Sequence, residues 1–287
     1  MNTLRKNRIL LGWLMMLLVA FQQVATPLQA ATVYWIVGTS RTSSGTWNAT
    51  GANWTTVAPP TTPGAGAAWV NQDIAVFGNN TTSSFTVNVN SLGMEVGGLT
   101  FLNSGITLNS SGTPAAPTGS LVLKNGAATP VITLGSTTTT TAFTTNMNVA
   151  LSGSNGLSIV TPSTTSTVLG RLVLGSAGGS NFANTLTGGI TVGAAGATAK
   201  TSLEVYNRTS SAYNPLGTNQ ITLNAGSTLD LRPTASSATG LSGRVFDIPA
   251  TSNTSRVDFT QTATGESYPS RSMLSTGAAS QNVVKLR

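Results

Sequence analysis

Four carboxylates, Glu204, Asp230, Asp247 and Asp258, each stand at the centre of an apolar-x-apolar triplet: LEV, LDL, FDI and VDF. If these triplets are strands, their period of two points each acid away from the buried face. Neighbouring strands of a sheet lie about 4.8 Å apart, so stacked acids would be separated by that step or multiples of it. Carboxylates so spaced can hydrolyse glycosidic bonds. A structural use competes: Arg232 follows Asp230 by two residues and Arg256 precedes Asp258 by two, so each pair shares a strand face. Such surface ion pairs contribute about 0–1 kcal/mol and lower a carboxylate's pKa, whereas acid catalysis needs one raised. The intervals between the acids, 26, 17 and 11 residues, are too uneven to guarantee a shared face. We therefore assign no catalytic residue.

The second chemically suggestive group is aromatic. All four tryptophans outside the first thirty residues, Trp35, Trp47, Trp54 and Trp69, fall before position 70. Trp47 and Trp54 are candidates for stacking sugar rings, and burial as a structural cap is the alternative. Other chemistries end sooner. The chain has no His and no Cys, which removes the Ser-His-Asp triad, the thiol nucleophile and the usual zinc sites. It lacks the Asp-rich nonapeptide repeats that bind calcium, and its Gly pairs at 97–98, 178–179 and 188–189 follow no strand-to-helix pattern that would cradle phosphate. No metal and no cofactor is expected.

The elements that would position these side chains are short strands. Apolar-x-apolar triplets recur from residue 87 to residue 259, among them Val87-x-Val89, Leu99-x-Phe101, Ile132-x-Leu134, Leu172-x-Leu174 and Ile221-x-Leu223. Between them lie turn-forming stretches such as NSG, NGAATP, GSNG and NAGS. No helical stripe follows residue 31. Disorder is a poor reading of this Ser/Thr/Gly-rich chain, because its mean hydropathy is positive and only 7% of its residues are charged. Three-residue strands with Gly/Asn corners favour a stack of short coils, a parallel β-helix, over a sandwich. The ends of such a stack need closing, and Trp35, Trp47, Trp54 and Trp69 with Val76 and Phe77 supply an aromatic N-terminal cap.

Two stretches resemble a known family. Residues 179–196, with Asn184-Thr185 and Thr187-Gly188-Gly189, and residues 215–232, with Leu216-Gly217 leading to Asn224-Ala225-Gly226, look like the passenger-associated transport repeat of bacterial autotransporter-like proteins. The Trp-rich leader over residues 45–77 is similar to the segment that precedes such repeats. The resemblance implies a right-handed parallel β-helical passenger carried to the cell surface or released. A full autotransporter also ends in an outer-membrane β-barrel, which residues 260–287 are too few to hold.

Arg5, Lys6 and Arg8, the apolar run from Ile9 to Phe21, and the small residue Ala30 with Leu28 two before it read as a secretory signal peptide cut after Ala30. The expected divisions are 1–30 signal peptide, 31–90 cap and first coils, 91–260 repeats, and 261–287 a polar tail or truncated end whose apolar group is only Val283, Val284 and Leu286. Beyond residue 30 the chain holds 11 of its 14 cations against all 7 acids, a net charge of +4. Those cations are scattered, so no nucleic acid is expected as partner, and no membrane span is expected after cleavage. Extracellular glycans or cell-surface components are the expected partners. The reading is a secreted or surface-displayed bacterial protein, structural or adhesive and non-enzymatic. A polysaccharide-binding or polysaccharide-cleaving protein is the alternative.

Overall fold

The computed structural model describes residues 30–81, 83–113, 116–175, 182, 184–207, 216, 221–224 and 226–233, and the strands at 245–248, 256–259, 273–274 and 282–285; the side chains of Asn207 and of residues from 231 onward lie outside the described set. Contacts along the chain divide it into two units, 1–30 and 31–287, and every described strand belongs to the second.

The described residues contain no helix. In chain order the strands are β1 (Thr32–Trp35), β2 (Gly45–Trp47), β3 (Trp54–Thr55), β4 (Ile74–Phe77), β5 (Thr86–Val89), β6 (Met94–Val96), β7 (Gly98–Phe101) and β8 (Ile106–Asn109). There follow β9 (Gly112–Thr113), β10 (Ala116–Pro117), β11 (Ser120–Leu123), β12 (Val131–Leu134), β13 (Phe143–Asn148), β14 (Ala150–Gly153), β15 (Leu157–Val160) and β16 (Leu169–Leu174). The series ends with β17 (Thr185–Leu186), β18 (Ile190–Val192), β19 (Lys200–Asn207), β20 (Ile221–Leu223), β21 (Thr228–Pro233), β22 (Val245–Ile248), β23 (Arg256–Phe259), β24 (Met273–Leu274) and β25 (Asn282–Lys285).

Three sheets hold all of these except the β9–β10 hairpin. The first runs β25-β22-β20-β18-β15-β12-β7-β4-β1-β3, the second β2-β5-β8-β13-β16-β19-β21-β23-β24, and the third β17-β14-β11-β6. From β5 to β18 the chain visits the second, third and first sheets in that order four times, and each strand pairs in parallel with its counterpart one circuit later. Antiparallel pairing in the large sheets occurs at their ends, where β3 lies on β1, β24 on β23 and β25 on β22. An added antiparallel strand satisfies the N–H and C=O groups that a final parallel strand would expose. The segment 261–287, read from sequence as a polar tail or truncated end, contributes the strands β24 and β25.

The triplets become strands because their outer residues are buried together. Parallel register stacks them into rows, as in Ala75, Leu99, Ile132, Ile159, Val192 and Leu223, all at most 1% exposed. The rows merge into one continuous core from Val33 to Leu229. Turns close each circuit where a side chain would not fit: at Gly156, with φ of 75°, an added Cβ would sit 2.7 Å from the carbonyl oxygen of Gly188 in the next circuit. Residues of the family-like stretches also tie circuits together. Asn184 Oδ1 accepts from the Leu151 amide at 2.8 Å, and Asn224 Nδ2 donates to the Gly193 carbonyl at 2.7 Å. Gly179, Gly217 and Ala225 lie outside the described residues.

One inward row contains a chemical mismatch. Ile106, Thr145, Leu172, Leu203 and Leu229 stack in register, yet the fully buried Thr145 hydroxyl has no hydrogen-bond partner. An unsatisfied buried hydroxyl costs about 1–3 kcal/mol, and valine has the same shape without it. Thr145→Val should therefore raise Tm by about 2–4 °C for each kcal/mol recovered, measured by calorimetry. An unchanged or lower Tm would show that the hydroxyl is satisfied in solution.

Candidate functional site

Among the described residues a concavity forms where three successive circuits turn from the first sheet into the second. The turns are β4 to β5, β7 to β8 and β12 to β13. They enclose a cleft of about 250 Å³ lined by Asn80, Thr81, Leu102, Ser104, Phe143 and the Ser136–Thr141 segment.

The first wall depends on Asn103, a turn residue that is fully buried. Its Oδ1 accepts from the amides of Asn79 (2.9 Å) and Thr81 (3.2 Å), while its Nδ2 donates to Thr81 Oγ1 (2.9 Å) and the Ser83 carbonyl (3.0 Å). Gly78, with φ of 92°, makes room for this amide, because a Cβ there would meet Asn103 Oδ1 at 2.5 Å. The opposite wall is a threonine turn. The Ser136 amide donates to Thr139 Oγ1 at 2.8 Å, the Thr139 amide donates to the Ser136 carbonyl at 3.1 Å, and Ser163 Oγ donates to the Thr139 carbonyl at 2.6 Å. The threonine run is thus an organised wall, held by hydrogen bonds within the turn and from Ser163. Every lining residue is uncharged, so the cleft offers hydroxyl and amide groups over the apolar edges of Leu102 and Phe143 and no field for an ion.

At the opposite end of the same strands, five residues beyond Phe143, the outer face of the second sheet carries an asparagine row whose last member, Asn148, is itself buried. Asn88, Asn109 and Asn148 are register partners, and Asn148 Nδ2 donates to Asn109 Oδ1 at 3.0 Å. Asn109 Nδ2 approaches Asn88 Oδ1 at 3.5 Å. Identical amides, one per strand, thus link neighbouring circuits through their side chains.

The acids assort by sheet. Glu204, Asp230 and Asp258 occupy one register row across β19, β21 and β23, so their Cα atoms step by about 4.8 Å. Asp247 sits on β22 in the other large sheet, opposite Thr222, and does not join them. The uneven intervals come from Asp247 alone, because without it the three aligned acids are 26 and 28 residues apart. Glu204 stands between the inward-facing Leu203 and Val205 as expected and Asp230 follows the inward-facing Leu229, yet the two acids are only 3% and 9% exposed, so neither faces open water. Arg171 Nε lies 3.6 Å from Glu204 Oε2, an ion pair between β16 and β19 that register creates and sequence spacing hides. The side chains of Asp247, Asp258, Arg232 and Arg256 lie outside the described residues. Among the described residues no group of three potential metal ligands converges.

The sugar-stacking assignment for Trp47 and Trp54 meets a geometric obstacle, because they are 0% and 1% exposed. Trp47 packs against Trp54 and Trp69 with ring centroids 4.9 Å away in both cases, Trp54 lies 5.4 Å from Trp35, and Phe77 stacks on Phe101 at 5.3 Å. Their faces are covered by one another, leaving none for a sugar ring. Arg41, one of the scattered cations, is also buried. It donates through Nη2 to the carbonyls of Val57 (2.6 Å) and Thr61 (3.1 Å) and lies over the Tyr34 ring, and its burial lowers its pKa. Lys124, by contrast, reaches Glu95 at 2.8 Å and, with a hydrogen bond from Gln72, holds that carboxyl below its usual range.

No known protein family, curated protein or solved structure matches the chain. The site must be tested on its own geometry. Asn103→Ala removes four hydrogen bonds and leaves the Asn79 and Thr81 amides without this acceptor, at a cost of about 2 kcal/mol. We expect a Tm lower by about 4–8 °C and faster amide exchange at Asn79 and Thr81 in particular. Unaltered exchange at those two amides would show that Asn103 does not shape the cleft.

Proposed function

We propose that this chain is an exported bacterial protein of the autotransporter-passenger type, with a structural or adhesive role and no catalytic one. In this reading the parallel circuits wind as a right-handed β-solenoid, and the buried tryptophans cap its first turn. The observation that carries it is an uncharged, hydroxyl-lined cleft on a stack of parallel circuits whose outward polar residues, such as Asn88 and Asn109, repeat in register. Groups repeated at a fixed step offer a neutral polyhydroxylated polymer several weak contacts at once, and such contacts sum through effective concentration. Extracellular glycans or neighbouring surface components are the partners that fit this chemistry.

One further feature supports export. The division of the chain between Ala30 and Ala31 coincides with the cleavage position read from sequence. Among the described residues no helix is long and apolar enough to cross a membrane.

The in-register carboxylates favour one alternative, polysaccharide cleavage, since their step is close to the roughly 5–5.5 Å of retaining glycosidases. The burial of Glu204 and Asp230 argues against substrate access. Cells deprived of the chain should attach less to surfaces or show a weakened envelope, whereas unchanged attachment and integrity would contradict the adhesive role. Release of reducing ends from polysaccharide by the purified protein, abolished in Asp230→Asn and Asp258→Asn, would establish the enzymatic alternative instead.

A further inference from the structure

The first residue of the second unit touches a buried acid. The Ala31 backbone nitrogen donates to Asp73 Oδ1 at 3.0 Å, and Asp73 is only 8% exposed. The surrounding backbone fixes this contact: the Ile74 amide donates to the Ala31 carbonyl at 2.8 Å, and the Gly97 amide donates to the Asp73 carbonyl at 2.8 Å. Asp73 is therefore clamped between the start of β1 and the start of β7. Among the described residues no cation pairs with it; the adjacent Gln72 bonds to Glu95, whose own partner is Lys124. Burial pushes the Asp73 carboxyl up, and the hydrogen bond from Ala31 only partly opposes this. The site holds a carboxylate that a neutral amide stabilises incompletely.

We infer that Ala30–Ala31 is a processing site whose cleavage creates the counter-ion of Asp73, the new α-ammonium of Ala31. The inference rests on the export reading above. A signal peptidase hydrolyses the bond with water: the hydroxyl joins the Ala30 carbonyl carbon, and one proton goes to the Ala31 nitrogen. That amine, with an ordinary pKa near 8, takes up a second proton at neutral pH. Ala31 is exposed and Ala30 half-buried, so the bond is accessible. A charged donor then occupies the place of the amide, and a charge-assisted hydrogen bond is roughly twice as strong as a neutral one. The gain falls on β1, which pairs with both β3 and β4 and carries Trp35 into the aromatic cluster. Removal of the leader thereby fastens the first strand in place.

The full chain should be produced with its own leader in a bacterial host and recovered from outside the cytoplasm, its first residue read by N-terminal sequencing. With the alanine methyl groups labelled for NMR, the Ala31 amine should hold its proton about tenfold more tightly than an ordinary α-amine near pH 8. In the Asp73→Asn product it should titrate ordinarily. Selective acetylation of the α-amine should lower Tm by about 4 °C in the wild-type product and by much less in Asp73→Asn. If Asp73→Asn does not accumulate, the titration and acetylation of the wild-type product suffice. A product that begins at Ala31 with an ordinary amine and no acetylation effect overturns the ion pair and leaves export standing. A product that begins elsewhere overturns the assigned processing site. A chain found only inside cells with its leader attached overturns export as well.

Discussion

In-register hydrogen bonding between parallel strands is the constraint on which the rest of this molecule depends. It fixes a step of about 4.8 Å between circuits and places each side chain over its counterpart. Inward rows must then be apolar and of similar bulk, and they are, from Ala75 to Leu223 on one sheet and, but for Thr145, from Ile106 to Leu229 on another. Outward rows repeat at the same step without shelter from a different neighbour. A repeated charge would repel itself along the whole row, while repeated amides and hydroxyls bond to one another. The low charge of the chain follows from this geometry, and so does its wealth of Thr, Ser and Asn.

The exceptions to neutrality are informative because each has a local answer. The row Glu204–Asp230–Asp258 stacks three acids, and Arg171 stands on the strand beside it against Glu204. Glu95 is held by Lys124 across circuits. Arg41 relies on two backbone carbonyls and the Tyr34 ring. Asp73 accepts from the backbone nitrogen of Ala31, at the entry to β1. Charges in this protein are fixed points of the stack more than solvated decoration.

Much of this was readable from the letters, for one physical reason. Period-two alternation states which residues face inward, and the flanking residues of triplets such as Val87-x-Val89 and Leu203-x-Val205 are buried as it requires. Size and crowding left the tryptophans open to two readings, a buried cap or a sugar-stacking platform, and the letters do not choose between them; in the fold all four are buried. Register was not readable, because the letters do not say which strands share a sheet; Asp247, on the other large sheet, made the series look uneven, although Glu204, Asp230 and Asp258 are 26 and 28 residues apart. Asn103 lay hidden in an ordinary NSG turn, since the sequence marks the turn but not the four hydrogen bonds its side chain makes. The cleft escaped for the same reason, as its walls come from three turns brought together only by stacking. Asp73 gave no signal at all, its role depending on a residue 42 positions away.

The central claim is the constant step, and the absence of cysteine makes it directly measurable. One outer row runs Thr32, Ile74, Gly98, Val131, Ser158, Thr191 and Thr222. Spin labels on cysteines introduced at positions 32 and 158, and in a second protein at 32 and 222, should report separations near roughly 19 Å and 29 Å, four and six steps of about 4.8 Å. Distances that grow in this proportion establish the in-register stack. Distances that do not increase from position 158 to position 222 would contradict it and, with it, the assignment of the core, the polar rows and the cleft.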